Sequence, residues 1–216
     1  MLFRSNPDTI YGESRAVVKL WRKWLFDVVT DNHGFEGHEL VQPFSGYISP
    51  WYKGFWIPKA LYYGYIWFDE RNPYTISFGD RVRSKVADYI NGDQEIWERN
   101  KVCQERFYKY AEKWFPTMFH TETYKDVIFY WIETNKQKRA NNFNLSDPEI
   151  TTLDWTTEVA DETVTGDDMW LNARAHLLSD LALFEVLRET DLISECRVSE
   201  QHGHYTYTKF RRRPLM

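Results

Sequence analysis

A run of aromatic residues, GFWIPKALYYGYIWF at positions 54–68, limits what this chain can fold into more than any other feature. Seven of its fifteen residues are aromatic, and only Lys59 is charged. A helix that spans a bilayer needs about twenty apolar residues, and a segment of that length, from Ile48 to Phe68, contains two prolines and two lysines. We therefore predict a helix over about 58–68 that is apolar on all sides and covered by this chain or by a partner. An interfacial and a membrane-spanning placement stay as alternatives.

Aromatic residues are abundant throughout the chain, which contains ten Trp, fourteen Tyr and fourteen Phe. Large aromatic side chains either fill a core or dominate the interfaces between proteins. Contiguous apolar patches of this kind are rarely exposed on monomers, so we predict that the run contacts other proteins. The residues predicted at this interface are Trp51, Trp56, Tyr62, Tyr63 and Trp67.

The N-terminal segment SRAVVKLWRKWLFDVV is predicted to form a basic amphipathic helix over about 14–31. One apolar stripe recurs at three- and four-residue steps, from Val17 and Leu20 to Val28. We expect Asp31 to Gly34 to end the helix, because Asn and Gly tolerate the left-handed cap conformation. The positive charges could contact an anionic lipid surface or an acidic partner. They are Arg15, Lys19, Arg22 and Lys23.

Helical spacing continues along most of the chain. Ser77 is predicted to cap a helix that reaches Gly92, and Asp93 to cap a longer one from Ile96 to Trp114, stopped by Pro116. Ser146 and Asp167 are predicted to cap two further helices. The last of them carries an apolar side formed by Trp170, Ala173, Leu177, Leu181, Phe184 and Leu187.

Three other segments complete the predicted fold. VIFYWI, at 127–132, suits a buried strand or a packed helix, and its long helical neighbours favour the helix. The Thr- and acid-rich stretch that ends at Gly166 is predicted to be irregular. HYTYTKF alternates like a short strand, ahead of a basic tail at 209–216. The predicted fold is therefore a single, mainly α, aromatic-rich domain over 1–216, with long connecting loops and at most a short C-terminal strand.

Composition excludes several classes of function. The net charge of −5 and a pI near 5.7 argue against a general nucleic-acid-binding protein. Two cysteines form neither a disulfide framework nor a metal-ligand spacing, which favours a reducing compartment. The glycines match no phosphate-binding loop, and the sequence contains no nucleophile elbow. Cys103 and His176 both lie on apolar helix faces, where core packing is the expected role.

Histidines and acids offer two weak metal-site hypotheses. His120 and Glu122 have the spacing of a two-histidine, one-carboxylate iron site, with His202 or His204 as the third ligand. His33 with His38 is a weaker pair still. A nuclease-like set would use Asp126, Glu133 and Lys136. None of these sets lies in the surrounding pattern that its chemistry requires, so we predict no metal, no cofactor and no enzyme activity.

In general character the chain resembles the lineage-specific accessory subunits of mitochondrial inner-membrane complexes, in the respiratory chain or the ATP synthase. The basic helix SRAVVKLWRKWLF, the aromatic stretch WYKGFWIPKALYYGYIWF and the Arg-rich end RRRPLM carry this resemblance. It implies a non-catalytic structural subunit at the inner membrane whose partners are other subunits. The alternatives are a viral or phage connector or neck protein, and a small metal-dependent oxygenase that uses His120 and Glu122.

Overall fold

The computed structural model describes residues 12–24, 26–35, 60–68, 74–110, 120–133, 151, 153–160, 164–190 and 194–211. Both helices and strands occur along these residues. In chain order they are α1 Gly12–Trp24, β1 Val28–Phe35, β2 Tyr62–Phe68, α2 Tyr74–Gly92, α3 Gln94–Tyr110, β3 His120–Tyr124, β4 Val127–Glu133, β5 Leu153–Ala160, α4 Asp167–Arg188, β6 Ser194–Gln201 and β7 His204–Arg211.

A mixed five-stranded sheet forms the centre of the structure, with the strand order β1-β5-β2-β4-β3. The pairs β1–β5 and β2–β4 are parallel, whereas β2–β5 and β3–β4 are antiparallel. The fold class is therefore α/β, and the predictions of a mainly α domain and of an α-helical protein are wrong. For β2 and β4 the cause of the error is that central strands that are buried on both faces read as continuous apolar runs without a period of two.

The aromatic run is the clearest case. Its second half is strand β2, between β5 and β4, and not the predicted helix over 58–68. Tyr62 and Ile66 lie in the core on the helix side of the sheet, whereas Tyr63 packs on the opposite side with Ala60 and Ile128. Both faces of β2 are covered within this chain, which explains why nearly every position is apolar. Residues 54–59 lie outside the described residues.

The preferred helix over VIFYWI is also wrong, since this segment is strand β4 in a hairpin with β3. Lys125 and Asp126 connect the two strands with φ values of 46° and 67°. Positive φ at both central residues is the signature of a two-residue type I′ turn, whose twist matches that of the strands. The turn has none of the usual Asn-Gly chemistry, so sequence signals did not reveal the hairpin.

The edge strand β1 and its neighbour β5 replace two further predicted elements. α1 ends at Trp24, and the residues predicted as its last turns and cap belong to β1. The Thr- and acid-rich stretch contains β5, which pairs with β1 in register from Val28 opposite Leu153 to Phe35 opposite Ala160. Val28, Val29 and Thr30 are β-branched, a residue type that favours strands.

The remaining helices agree with the sequence more closely. α2 begins at Tyr74, before the predicted cap Ser77, and ends at Gly92 as predicted. The cap at Asp93 is confirmed, because its carboxylate accepts a hydrogen bond of 3.1 Å from the backbone N–H of Ile96. α3 is confirmed as far as Tyr110, and Cys103 is buried on it. The predicted start at Ser146 lies outside the described residues.

α2 and α4 pack on one face of the sheet and enclose the main core. Trp155, Phe129 and Phe78 are among its largest fully buried side chains. A Cβ atom on Gly64 of β2 would lie 2.7 Å from Phe129 and 2.8 Å from Trp155. Only glycine leaves room there for both rings, so the strand and these aromatic side chains are closely packed.

The C-terminal strand predicted from HYTYTKF is confirmed as β7, and it pairs with β6 in a separate two-stranded sheet. The turn between them, His202 and Gly203, has positive φ at both residues. The basic tail over 209–216 begins inside β7, and its residues after Arg211 lie outside the described part of the chain.

Candidate functional site

Helix α4 has a buried inner face that packs on the sheet and an outer face that is exposed. Its inner face consists of buried and mostly small residues: Leu171, Asn172, Ala175, Ser179, Ala182, Leu183 and Val186. Small side chains allow a helix to approach a sheet closely. The Ser179 hydroxyl lies 2.7 Å from the Tyr62 hydroxyl and accepts a bond of 3.1 Å from the Trp155 indole N–H. Burial raises the pKa of Tyr62 far above its ordinary value, so this phenol stays neutral.

One flank of α4 is joined to α2 and α3 by charged pairs. Glu185 accepts hydrogen bonds from Tyr89 and from Lys85, the latter at 3.0 Å. These two bonds, Tyr89 first, lower the pKa of Glu185 below its ordinary value. Nearer its N-terminus, Arg174 forms ion pairs with Asp93 and Glu95. The charges on this flank therefore hold the helices against one another.

The opposite flank of α4 is joined to the edge strand β1 by a polar cluster. Asp180 accepts hydrogen bonds from Asn32 at 2.8 Å and from Thr30 at 3.3 Å. Thr157 of β5 donates to the side-chain amide oxygen Oδ1 of Asn32 at 2.8 Å, and the Thr157 hydroxyl oxygen lies 2.7 Å from Nδ1 of His176. Burial lowers the pKa of His176 below its ordinary value, against the opposing charge of Asp180.

The hydroxyl and imidazole of this cluster could be taken for a nucleophile and its base. The hydrogen bonds argue against that interpretation. A carboxylate only accepts, so Asn32 must present its amide N–H to Asp180 and its oxygen to Thr157. The single hydroxyl proton of Thr157 is therefore given to Asn32, while the His176 ring contacts Thr157 through Nδ1 and also hydrogen-bonds the backbone of His33. In this arrangement the imidazole cannot accept the hydroxyl proton, and the cluster ties β1 to α4.

The outward face of α4 is apolar along most of its length. It is formed by Trp170, Ala173, Leu177, Leu181 and Phe184, which we name the outer stripe. Trp170 is 67% exposed, Phe184 59% and Leu177 56%. Fourteen residues separate its two ends, which corresponds to about 21 Å along a helix. Contiguous exposed apolar surfaces of this kind mark sites of interaction.

The outer stripe was predicted from its spacing as the apolar side of the last helix, and the helix is confirmed. Of the predicted side, only Leu187 packs against the core. The predicted cap Asp167 is wrong, because Gly166 occupies the cap position with φ at 65° and no side chain bonds the helix start. Periodicity thus located the candidate site, but it did not indicate that the core lay on the other side.

α1 carries a second apolar face that points outward. Val17, Leu20 and Trp24 are exposed, as are the basic residues Arg15 and Lys19. None of the other described elements packs extensively against this helix. Lys23 is exposed too, with its ammonium 5.4 Å from the centre of the Trp24 ring. None of the described helices combines the length and the apolar character that crossing a membrane requires.

The residues predicted at the aromatic interface lie in different environments. Tyr62 and Tyr63 are buried and pack inside this chain. Trp67 is half-buried, and its indole N–H donates to Thr156 at 3.1 Å. Trp51 and Trp56 lie outside the described residues. The described residues of the aromatic run therefore pack mainly within the protein's own sheet.

The residues of the metal-site hypotheses are dispersed. Glu122 of β3 bonds Arg83 of α2 and the indole N–H of Trp131, and Arg83 stacks 4.2 Å from the centre of the Tyr124 ring. His202 and His204 lie in the separate hairpin β6–β7. Among the residues that the structure describes, no group of three His, Cys, Asp or Glu side chains could hold a metal ion.

The remaining candidate ligands have other partners. Asp126 pairs with Lys101 at 2.7 Å, and Glu133 is the last residue of β4. His33 bonds Asp31 at 2.5 Å within β1. His38 and Lys136 lie outside the described residues. Comparisons with protein-family models, with characterised proteins and with solved structures give no match to this chain.

Proposed function

We propose that this protein is a non-catalytic structural subunit of a larger assembly, in which it acts by contact. The outer stripe of α4 is the observation that carries this proposal. Its side chains lie opposite the face that packs on the sheet, so a partner can cover them without disturbing the core. In the specific form that the sequence resemblance suggests, the assembly is a complex of the mitochondrial inner membrane.

α1 supplies a second contact in this proposal. Its exposed apolar face and its exposed charges Arg15, Lys19 and Lys23 suit an acidic protein surface or an anionic lipid surface. Each basic residue near an anionic membrane contributes about 1 kcal/mol, within about a Debye length. Attachment through α1 would thus be weak and sensitive to salt, whereas the outer stripe would provide a contact that salt does not screen.

The test is the size of the species that contains the full chain in its own cells. Tagged wild-type protein is expected to migrate on native gels in one discrete species much larger than two copies. Leu177→Asp combined with Leu181→Asp should release the chain from it, because two carboxylates would be buried at the contact. A variant with Gln at Arg15, Lys19, Arg22 and Lys23 tests α1 in the same assay.

Val102→Asp is the matched control. Val102 of α3 is 51% exposed, comparable with Leu177, but it lies outside the outer stripe. This variant should stay in the large species. A wild-type chain that migrates no larger than two copies would contradict the proposed function, as would a release by Val102→Asp equal to that by the double variant.

A further inference from the structure

The outer stripe has a pattern that is symmetric about its central residue, Leu177. Trp170 and Phe184 lie seven residues to either side, which is about two turns, and both are aromatic. Ala173 and Leu181 lie four residues to either side, about one turn away, and one is small where the other is large. A helix face of this kind can pack against the same face of a second helix that runs in the opposite direction.

We propose that the outer stripe binds a second copy of this chain, with the two α4 helices antiparallel and a twofold axis beside Leu177. This inference rests on the proposed function and names the occupant of its main contact. In that register the two Leu177 side chains meet, and Trp170 of each copy packs beside Phe184 of the other. Ala173 lies beside Leu181 of the second copy, so this pair combines a small side chain with a large one. Contacts related by a twofold axis are the commonest in homo-oligomers.

The charges at the ends of α4 favour the same register. Asp167 is ten residues before Leu177 and Arg188 is eleven after it, and both side chains are exposed. An antiparallel arrangement therefore brings Arg188 of one copy close to Asp167 of the other, once at each end. It also sets the negative end of each helix dipole beside the positive end of the other. A parallel arrangement would place like charges together at both ends.

The area available is close to what a specific dimer needs. The four large side chains of the outer stripe are between 43% and 67% exposed. With about 200 Å² for each such side chain, the stripe offers roughly 400–500 Å² per copy, or about 1,000 Å² for two. Specific interfaces begin at about 1,200 Å² of total buried surface. Contacts from the flanking residues supply the difference, and a dimer that dissociates in the micromolar range is expected.

Sedimentation of the purified full chain under reducing conditions tests whether the outer stripe binds a second copy. Wild-type protein should be dimeric at about 100 μM and should dissociate on dilution. Leu177→Asp should be monomeric at every concentration, and Val102→Asp should behave as wild type. A wild-type chain that is monomeric throughout would overturn the proposal, and so would a Leu177→Asp variant that still dimerises.

Disulfide trapping tests the register, in a chain with Cys103→Ala and Cys196→Ser whose circular dichroism matches that of the wild type. Leu177→Cys should link two copies to each other. Trp170→Cys should link to Phe184→Cys when the two variants are mixed, but not to itself. Efficient self-linking of Trp170→Cys would mean a parallel pair and would overturn the proposal. A link within one chain between Leu20→Cys and Leu177→Cys would assign the stripe to α1 instead.

The two proposals can fail separately. A monomeric chain that still joins a large species in cells would leave the proposed function standing and assign the outer stripe to a different subunit. A dimer with the predicted links that joins nothing larger would support the self-contact and contradict the larger assembly.

Discussion

Strand β2 and the outer stripe of α4 are both rich in large apolar side chains, yet they lie in opposite environments. β2 is the central strand of the sheet, and Tyr62 and Ile66 are fully buried. The outer stripe points away from the core, with Trp170 and Phe184 exposed. The two regions differ because a central strand is covered on both faces by its own chain, whereas a helix on a sheet has a face that only a partner can cover. Apolar content alone therefore does not separate the core from a docking surface.

The largest expected effect is on the free energy of unfolding, when the same substitution, Trp to Ala, is made in the sheet and on the outer stripe. Trp155 lies in β5 beside β2, is fully buried and donates to Ser179, so Trp155→Ala should lower the free energy of unfolding by about 3–5 kcal/mol. Trp170→Ala, on the outer stripe, should change it by less than about 0.5 kcal/mol in dilute protein. Urea unfolding followed by circular dichroism measures both. A comparable loss from Trp170→Ala in the monomer would show that the outer stripe belongs to the core.

A smaller effect is expected where β2 is most tightly enclosed. Gly64→Ala should lower the free energy of unfolding by about 1–3 kcal/mol, because the added methyl group overlaps the rings of Phe129 and Trp155. Gly92→Ala is the matched control, since no atom lies within 4 Å of a Cβ at that helix end. That variant should be as stable as the wild type in the same urea assay. Equal stability of the two variants would mean that β2 can move away from its neighbours.

The smallest effect concerns the flank of α4 that separates its inner face from the outer stripe. Burial lowers the pKa of His176, so between the unfolded value near 6.5 and the lower folded value the unfolded chain binds more protons. Stability is fully present above about pH 6.5 and falls as the pH drops through that window. His176→Asn keeps a hydrogen-bonding partner for Thr157 but does not titrate, so its stability should change less between pH 7.5 and 5.5. The measurement is the urea midpoint of the wild type and of His176→Asn at the two pH values. An identical pH dependence of the two midpoints would contradict the prediction.

Part of this architecture could be predicted from local sequence signals. The helices α2, α3 and α4 carry apolar residues at helical spacing, Asp93 caps α3 by accepting from the Ile96 N–H, and β7 alternates as a strand should. Each of these signals depends on residues within one or two turns of the same element. Because their energetic basis is local, these elements can be predicted without knowledge of the rest of the fold.

Only the tertiary structure decided the rest. β2, β4 and β5 are strands because they pair with segments distant in the chain, as Tyr63 does with Glu158. β2 and β4 are near-continuous apolar runs, so they lack the alternation that would reveal a strand. The outer stripe was evident as an apolar helix face, but which side of α4 meets the sheet depends on Ser179 fitting between Tyr62 and Trp155. Hydrophobic spacing shows that a face avoids water, whereas the surface that covers it is set by contacts between segments far apart in the sequence.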